Sequence, residues 1–314
     1  MPPPELPQIV TIVGPTASGK TLLSLILARE LQSEIVSADS RQFYRHLAIG
    51  TAKPNRDELT KIRHHFIDFL EPDEMYSAGE YGKSARLTLR ALVQQGKVPV
   101  VVGGSGLYVR ALIDGFYDGP GRNDEIREQL ERRWNEGGGA AMYEELRRFD
   151  PETAMRMDKT KKRRVMRALE VYYITGTPLS QLHRLQESEP EFDFCQVALD
   201  WPRSILYHRI NARVDHMMQL GLLEEVKNLL PRGFGAHLNA LNTVGYRELL
   251  NFIEGKIASL DEATDLIKRN TRRFAKRQLT WFRADKRIRW IRVMSNTPME
   301  EIAEGVLAML KSGK

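Results

Sequence analysis

Residues 8–21 read QIVTIVGPTASGKT. QIVTIVG (8–14) is a short β-branched run that stops at a glycine, the pattern of a buried strand. Gly14-Pro15-Thr16-Ala17-Ser18-Gly19-Lys20-Thr21 then fits G-x-x-x-x-G-K-[ST] in full. LLSLILARELQ follows with helical character. Strand, loop and helix in that order are the context in which this pattern cradles phosphate. The backbone N–H groups of the 15–21 segment can converge on one anion at a helix N-terminus. Glycine at 14 and 19 permits the turn. Lys20 offers a point charge to the terminal phosphates, and the Thr21 hydroxyl can ligate Mg²⁺. The pattern establishes a phosphate or diphosphate site and leaves its ligand open.

Further along, EIVSAD (34–39) reads as a second strand, HFIDFL (65–70) as a third and VPVVVGG (98–104) as the most strand-like segment. A long amphipathic stretch over 77–95 separates the last two. Strands alternating with helices predict an α/β fold, a P-loop NTPase-like parallel sheet flanked by helices. The character changes after the Gly/Pro-rich break YDGPGRND (117–124). Helical patterns then run from 123 to 186, with GGG at 137–139 separating two of them. QESEPEFDF (186–194) is an acidic linker. QVALDW (196–201) and RIRWIRV (287–293) return to strand, which favours an all-helical insertion over two consecutive domains. The expected division is a core of 1–119 with 195–314, interrupted by an insertion over 120–194.

The chain has 314 residues, 42% hydrophobic and 28% charged, as in soluble globular proteins. No run approaches the ~18 apolar residues of a membrane-spanning helix. MPPPELPQ lacks the basic and apolar regions of a signal peptide, and Cys195 is the only cysteine. That excludes an intramolecular disulfide and a cysteine-based zinc site, and it predicts a cytoplasmic protein. A monomer is expected because no self-complementary apolar stripe is evident.

An NTPase of this class usually ends an apolar strand on an aspartate that holds Mg²⁺. Here VPVVVGGSGLY ends on Gly103-Gly104-Ser105. Its glycines would let backbone approach a ligand, and Ser105 offers a hydroxyl. The acid close to the loop in sequence is Asp39, at the end of EIVSAD. Asp39 is therefore a metal ligand, a general base, or merely the cap of the next turn. Ser40, Gln42 and Tyr44 could line a polar pocket around an acceptor, which suits group transfer better than hydrolysis.

The formal net charge is +6, and its distribution matters more than its size. KTKKRRVMR (159–167) is one basic run. IKRNTRRFAKRQLTWFRADKRIR (267–289) is another, with ten Lys/Arg residues and one acid, Asp285. Arg269, Arg272, Arg273 and Lys276 follow helical spacing and form one stripe. Basic faces with interleaved aromatics suit nucleic acid. Phe274, Trp281 and Phe282 are expected to pack in the core rather than stack on bases.

GPTASGKT, SADS, IGTAKP (49–54), YSAGEY (76–81), VVGGSGLY (101–108), RALEVYYITG (167–176), VGYRE (244–248) and KRQLTWFR (276–283) together resemble, in order, the blocks of the tRNA dimethylallyltransferases (tRNA isopentenyltransferases). They span most of the chain. The chain departs from the family at Ser105, often threonine, and in the more basic RRVMR at 163–167. The resemblance implies transfer of a dimethylallyl group from its diphosphate to N6 of adenosine 37, 3′ to the anticodon, by an Mg²⁺-dependent prenyltransferase. It implies a diphosphate held by residues 14–21, with Thr21 and Ser105 as metal ligands. Asp39 becomes the base, with Lys20 and Ser105 beside it.

The resemblance further implies that the anticodon stem-loop meets Asp39, Ser40, Arg41, Gln42, Ser105 and Arg127. Arg163, Arg164, Val165, Met166 and Arg167 would join them, as would Asn242, Thr243, Val244, Gly245, Tyr246 and Arg247. The last block is Lys276, Arg277, Gln278, Leu279, Thr280, Trp281, Phe282 and Arg283. Three other readings share part of this pattern: an adenylate isopentenyltransferase acting on free AMP or ATP, a P-loop small-molecule kinase, and an RNA-binding protein with a vestigial loop. The long helical insertion and the two basic runs favour the RNA acceptor, and the intact Gly19-Lys20-Thr21 argues against a vestige.

Overall fold

The computed structural model describes residues 6–115, 121, 123–185, 190–294 and 296–312. In chain order the first elements are β1 (Gln8–Val13), α1 (Lys20–Glu30), β2 (Ile35–Ser37), α2 (Arg56–Lys61) and β3 (His64–His65). α3 (Ala78–Gln94), β4 (Val100–Gly103) and α4 (Gly106–Ile113) follow. A helical segment holds α5 (Asp124–Arg133), α6 (Gly139–Phe149), α7 (Pro151–Met155), α8 (Lys162–Thr175) and α9 (Leu179–Leu185). The chain then forms β5 (Asp193–Asp200), α10 (Arg203–Gln219), α11 (Leu222–Leu229) and α12 (Tyr246–Ile253). It ends with α13 (Leu260–Arg283), β6 (Arg289–Arg292) and α14 (Met299–Ser312).

The strands form one sheet in the order β3-β2-β4-β1-β5-β6, and every pairing is parallel. β1 is central because it is apolar on both faces. Ile9 and Val13 pack into one core with Tyr81, Leu89 and Tyr246. Val10 and Ile12 pack into the other with Leu23, Leu27 and Val306. This is the period of two expected of a strand covered on both sides. Val13 pairs with Gly103 of β4 and with Ala198 of β5. The loops that follow β1, β4 and β2 therefore open side by side at the carboxyl edge, where open parallel sheets bind ligands.

β5 and β6 belong to this same sheet, so the chain is not a sheet domain followed by an all-helical one. Two compact units result: Met1–Gly115 with Pro190–Lys314, and Phe116–Glu189. The second unit ends earlier than the expected 194, because β5 starts at Asp193, which pairs with Gln8. The expected break at 117–124 and the start of the acidic stretch at 186 fall largely outside the described residues.

The helical unit has its own core of Leu130, Met142, Leu146, Val165 and Leu169. Gly137, at φ +86°, turns the chain between α5 and α6. The expected third strand is also corrected. Only His64–His65 pairs with β2, and Leu70 makes a single bridge to Tyr44. Phe66 and Asp68 adopt φ of +62° and +55°, which ends the ladder. Among the described residues no helix is long and apolar enough to cross a membrane.

The glycines from the end of β4 to the start of α4 pack on their Cβ side against the protein's own chain, and they also line a cleft at the sheet edge. A Cβ at Gly103 would lie 2.3 Å from the Ala38 carbonyl oxygen, and one at Gly106 would lie 2.2 Å from Trp281 Nε1. The Ala38 contact is backbone, so it cannot swing away. Gly103→Ala is expected to cost about 1–3 kcal/mol and lower the unfolding midpoint by at least ~2 °C. An unchanged midpoint in a thermal melt would contradict this packing.

Candidate active site

The phosphate loop leaves β1 through Gly14 at φ +130° and enters α1 through Gly19 at φ +99°. Groups outside the loop hold much of its backbone. Lys20 Nζ donates to the Pro15 carbonyl at 2.6 Å. Arg209 Nε donates to the Ala17 carbonyl at 2.9 Å, and Trp201 Nε1 to the Ser18 carbonyl at 2.8 Å. The Arg209 guanidinium lies 4.5 Å above the Trp201 ring, which stiffens both donors. Pro15 has no N–H, and the Thr16 N–H donates to Gln278 Oε1 at 2.9 Å. The segment expected to offer amides from 15 onward is therefore shorter. The N–H groups of residues 17–21 carry no hydrogen bond to a protein group. Ser18 Oγ is buried without a partner.

These amides face a cleft of about 1110 Å³ lined also by Asp39, Ser105, Arg209 and Arg213. Asp39 follows β2 and Ser105 follows β4, so neighbouring strands bring both to the loop. Asp39 Oδ1 accepts the Arg41 N–H at 3.0 Å, a local turn that fixes the carboxylate. Ser105 Oγ accepts the Ser40 N–H at 3.0 Å and lies 3.1 Å from Ser40 Oγ. Gln42 Nε2 donates to the Thr51 and Ala52 carbonyls, which fastens the IGTAKP loop along the cleft.

Arg213 is absent from the sequence reading. Arg209 and Arg213 are an i, i+4 pair on α10, and only their helical spacing could have singled them out. Burial lowers the Lys20 ammonium to about 8; the Asp39 carboxylate opposes this and Arg213 adds to it. Burial also pushes Arg213 down, against the support of Asp39. Below pH 8 Lys20 is an ammonium, and above it the charge is lost. Pyrophosphate affinity is therefore expected to fall as pH rises through about 8, with proton uptake on binding above that pH. Calorimetry in two buffers of different ionisation enthalpy measures the uptake. A flat affinity between pH 7 and 9.5 would contradict the lowered Lys20 (~1 unit either side of the titration).

The structure redistributes the residues expected to face RNA. Asn242, Thr243, Val244, Gly245 and Arg247 line the cleft, as do Arg273, Phe274, Arg277 and Trp281. Arg163, Arg164, Lys276 and Thr280 are exposed. Tyr246, Val165, Met166, Gln278 and Phe282 are buried, so their side chains cannot present themselves to an RNA surface. Tyr246 donates its hydroxyl to Glu225, whose carboxylate also takes the N–H groups of Ala48, Ile49 and Gly50. Leu279 packs beside Leu206 and Ile210.

Several cations expected on RNA are tied to acids. Arg127 and Arg167 both bond the carboxylate of Glu170, which is 1% exposed. Burial alone would raise Glu170, but these guanidinium bonds outweigh it and hold the carboxyl below its usual range. Arg283 pairs with Asp200 at 3.0 Å. Within the α13 stripe, Arg272 bonds Asn211 Oδ1 at 2.6 Å, while Arg269, Arg273 and Lys276 stay exposed. Of the three aromatics expected in the core, only Phe282 is there; Phe274 and Trp281 are 39% and 38% exposed.

Among the described residues no trio of His, Cys, Asp or Glu could hold a metal ion. Thr21 and Ser105 line the same cleft. No protein group bonds Thr21 Oγ1, and Ser105 Oγ keeps acceptor capacity beyond its Ser40 contacts. Such hydroxyls fit a hard cation that keeps water and takes most of its other oxygens from phosphate.

The profile of the family described as IPP transferase matches residues 42–285. The chain is 43% identical to the tRNA dimethylallyltransferase of Pelotomaculum thermopropionicum over 95% of each chain. It is 47% identical to that of Salinibacter ruber over 94% of this chain and 91% of the other. A crystal structure of the full-length tRNA isopentenylpyrophosphate transferase of Bacillus halodurans superposes with a TM-score of 0.71 at 37% identity, covering 98% of both chains. A eukaryotic dimethylallyltransferase crystallised acting on tRNA superposes with a TM-score of 0.84 at 25% identity, over 98% of this chain and 80% of that one. With its phosphate loop, Asp39 and Ser105 gathered at one sheet edge, this chain belongs to the IPP transferase family, the family of the tRNA dimethylallyltransferases.

Proposed function

We propose that this enzyme transfers a dimethylallyl group from dimethylallyl diphosphate to N6 of adenosine 37 in tRNA. The company of the loop carries this function: the carboxylate of Asp39 just past β2 and the hydroxyl of Ser105 just past β4. That arrangement suits a diphosphate leaving group with a base beside its carbon end. The allylic C–O bond breaks, a C–N bond forms, pyrophosphate departs and the N6 proton passes to Asp39. Adenine N6 is a weak nucleophile because its lone pair is delocalised into the ring, so stabilising the leaving group dominates the barrier.

Residues 17–21 supply amides, and Lys20 and Arg213 supply charge. Mg²⁺ held at Thr21 and Ser105 would add charge neutralisation on the diphosphate when bound. The 3′ neighbour of an anticodon lies in a folded loop, so the base has to be unstacked to reach Asp39. The aromatics Trp281 and Phe274, both exposed, are proposed to stack on loop bases.

Arg273, Lys276 and Arg277 are proposed as phosphate contacts, with Arg163 and Arg164 of the helical unit. Replacing Lys276 and Arg277 by alanine is expected to weaken tRNA binding and reduce its salt slope by about one per residue. Arg272→Ala should reduce that slope less, because its guanidinium is half-buried and held back by Asn211. Equal slopes in all variants would make the stripe a solvated face. The proposed reaction is tested by nucleoside mass spectrometry of a reacted anticodon stem-loop. An added dimethylallyl on A37, absent when A37 is replaced by guanosine, supports it; modification elsewhere overturns the position.

A further inference from the structure

Gln278 sits on α13, yet its side chain serves the phosphate loop. It is 7% exposed and spans two loops at the sheet edge. Its Oε1 accepts the Thr16 N–H at 2.9 Å, and its Nε2 donates to the Gly104 carbonyl at 2.9 Å. The orientation of the amide is fixed by its partners, since a backbone N–H only donates and a carbonyl only accepts. The fit is close: a Cβ at Gly104 would come within 2.4 Å of Nε2.

Thr16 is the next donor along the loop beyond residues 17–21. It lies toward β4, the side on which Gly104 leads into Ser105. The organic end of a donor has to run toward Ser105 and Asp39 if carbon is to meet the base. A polyphosphate with one more phosphate would need a further amide beyond residues 17–21. The available one is already taken, and the capping atom presents its lone pairs to an approaching anion. The hydrogen bond of a charged oxygen is among the stronger ones, so a denied donor weighs heavily.

We propose that Gln278 is a specificity-determining residue: by capping the Thr16 N–H it limits the loop to two phosphates and turns away triphosphates. This rests on the reading of the loop as a diphosphate site. It also gives the glutamine of KRQLTWFR a role that does not touch RNA.

The test compares Kd values of inorganic pyrophosphate and inorganic triphosphate, each with Mg²⁺, by calorimetry on the full chain. The wild type is expected to prefer pyrophosphate by at least ~10-fold, the effect of one hydrogen bond to a charged group. Gln278→Ala should shrink that preference at least ~10-fold, mainly through tighter triphosphate binding. Gln278→Asn, which keeps a buried amide but withdraws it by one methylene, should shift the ratio the same way and guards against a folding defect in the alanine variant. A merely structural glutamine would weaken both anions equally, and an unchanged ratio overturns the inference alone. A wild type that binds neither anion overturns the diphosphate reading of the loop and this inference with it.

Discussion

Asp39→Asn is expected to lower the rate of dimethylallyl transfer at least ~10²-fold, the lower range for a positioned general base, while tRNA affinity stays within about twofold. The substitution is conservative in the local sense. Asparagine Oδ1 can still accept the Arg41 N–H that now bonds Asp39 Oδ1 at 3.0 Å, so the turn after β2 survives. What disappears is the proton acceptor and its charge. Lys20 and Arg213 both feel that charge, so part of the loss will show in donor binding. Single-turnover kinetics at saturating donor separates the two effects. Near-normal turnover under those conditions would remove Asp39 from the base role and leave it as the turn residue it also is.

Lys20→Ala is the second large effect. We expect kcat/KM for the allylic donor to fall ~10²–10³-fold, the range for losing one group aimed at developing negative charge. Lys20 Nζ holds the Pro15 carbonyl at 2.6 Å, so its removal also loosens the loop. Affinity for tRNA alone should not change, because the ammonium is bonded back to the Pro15 carbonyl within the phosphate loop. Donor kinetics like those of the wild type would contradict the assignment of residues 14–21 to the diphosphate.

The strand, loop and helix at 8–30 were legible because the spacing itself carries the physics. A β-branched run, two glycines forced to positive φ and a helix start leave few alternatives. The same holds for α3: the amphipathic stretch over 77–95 forms Ala78–Gln94, started by a capping box of Ser77 and Glu80. β3 was overread because HFIDFL has strand composition, while the positive φ at Phe66 and Asp68 is set by tertiary contacts. One of these is the Lys53–Asp68 pair.

The site was partly legible for a different reason. Asp39 and Ser105 end apolar runs, and strand ends mark the ligand edge of a parallel sheet. Arg213 carries no motif, and its place depends on how α10 crosses the loop. The glycines of GGSG line the cleft as expected, and their Cβ side also makes room for Ala38, Gln278 and Trp281, which no spacing in the sequence shows. Tyr246 and Phe282 lie in blocks that resemble RNA-contacting ones, yet they support those blocks from the core. A family block marks a stretch of chain, and helical periodicity decides which of its side chains reach the surface.

This enzyme is proposed to pair an allylic diphosphate donor with a tRNA acceptor. The direct measurement is transfer of label from dimethylallyl diphosphate in the presence of Mg²⁺, with an anticodon stem-loop bearing adenosine 37 and free AMP as parallel acceptors. Label is expected in the stem-loop and none in AMP. Label in AMP alone, or ATP turnover with no label in either acceptor, would contradict this pairing.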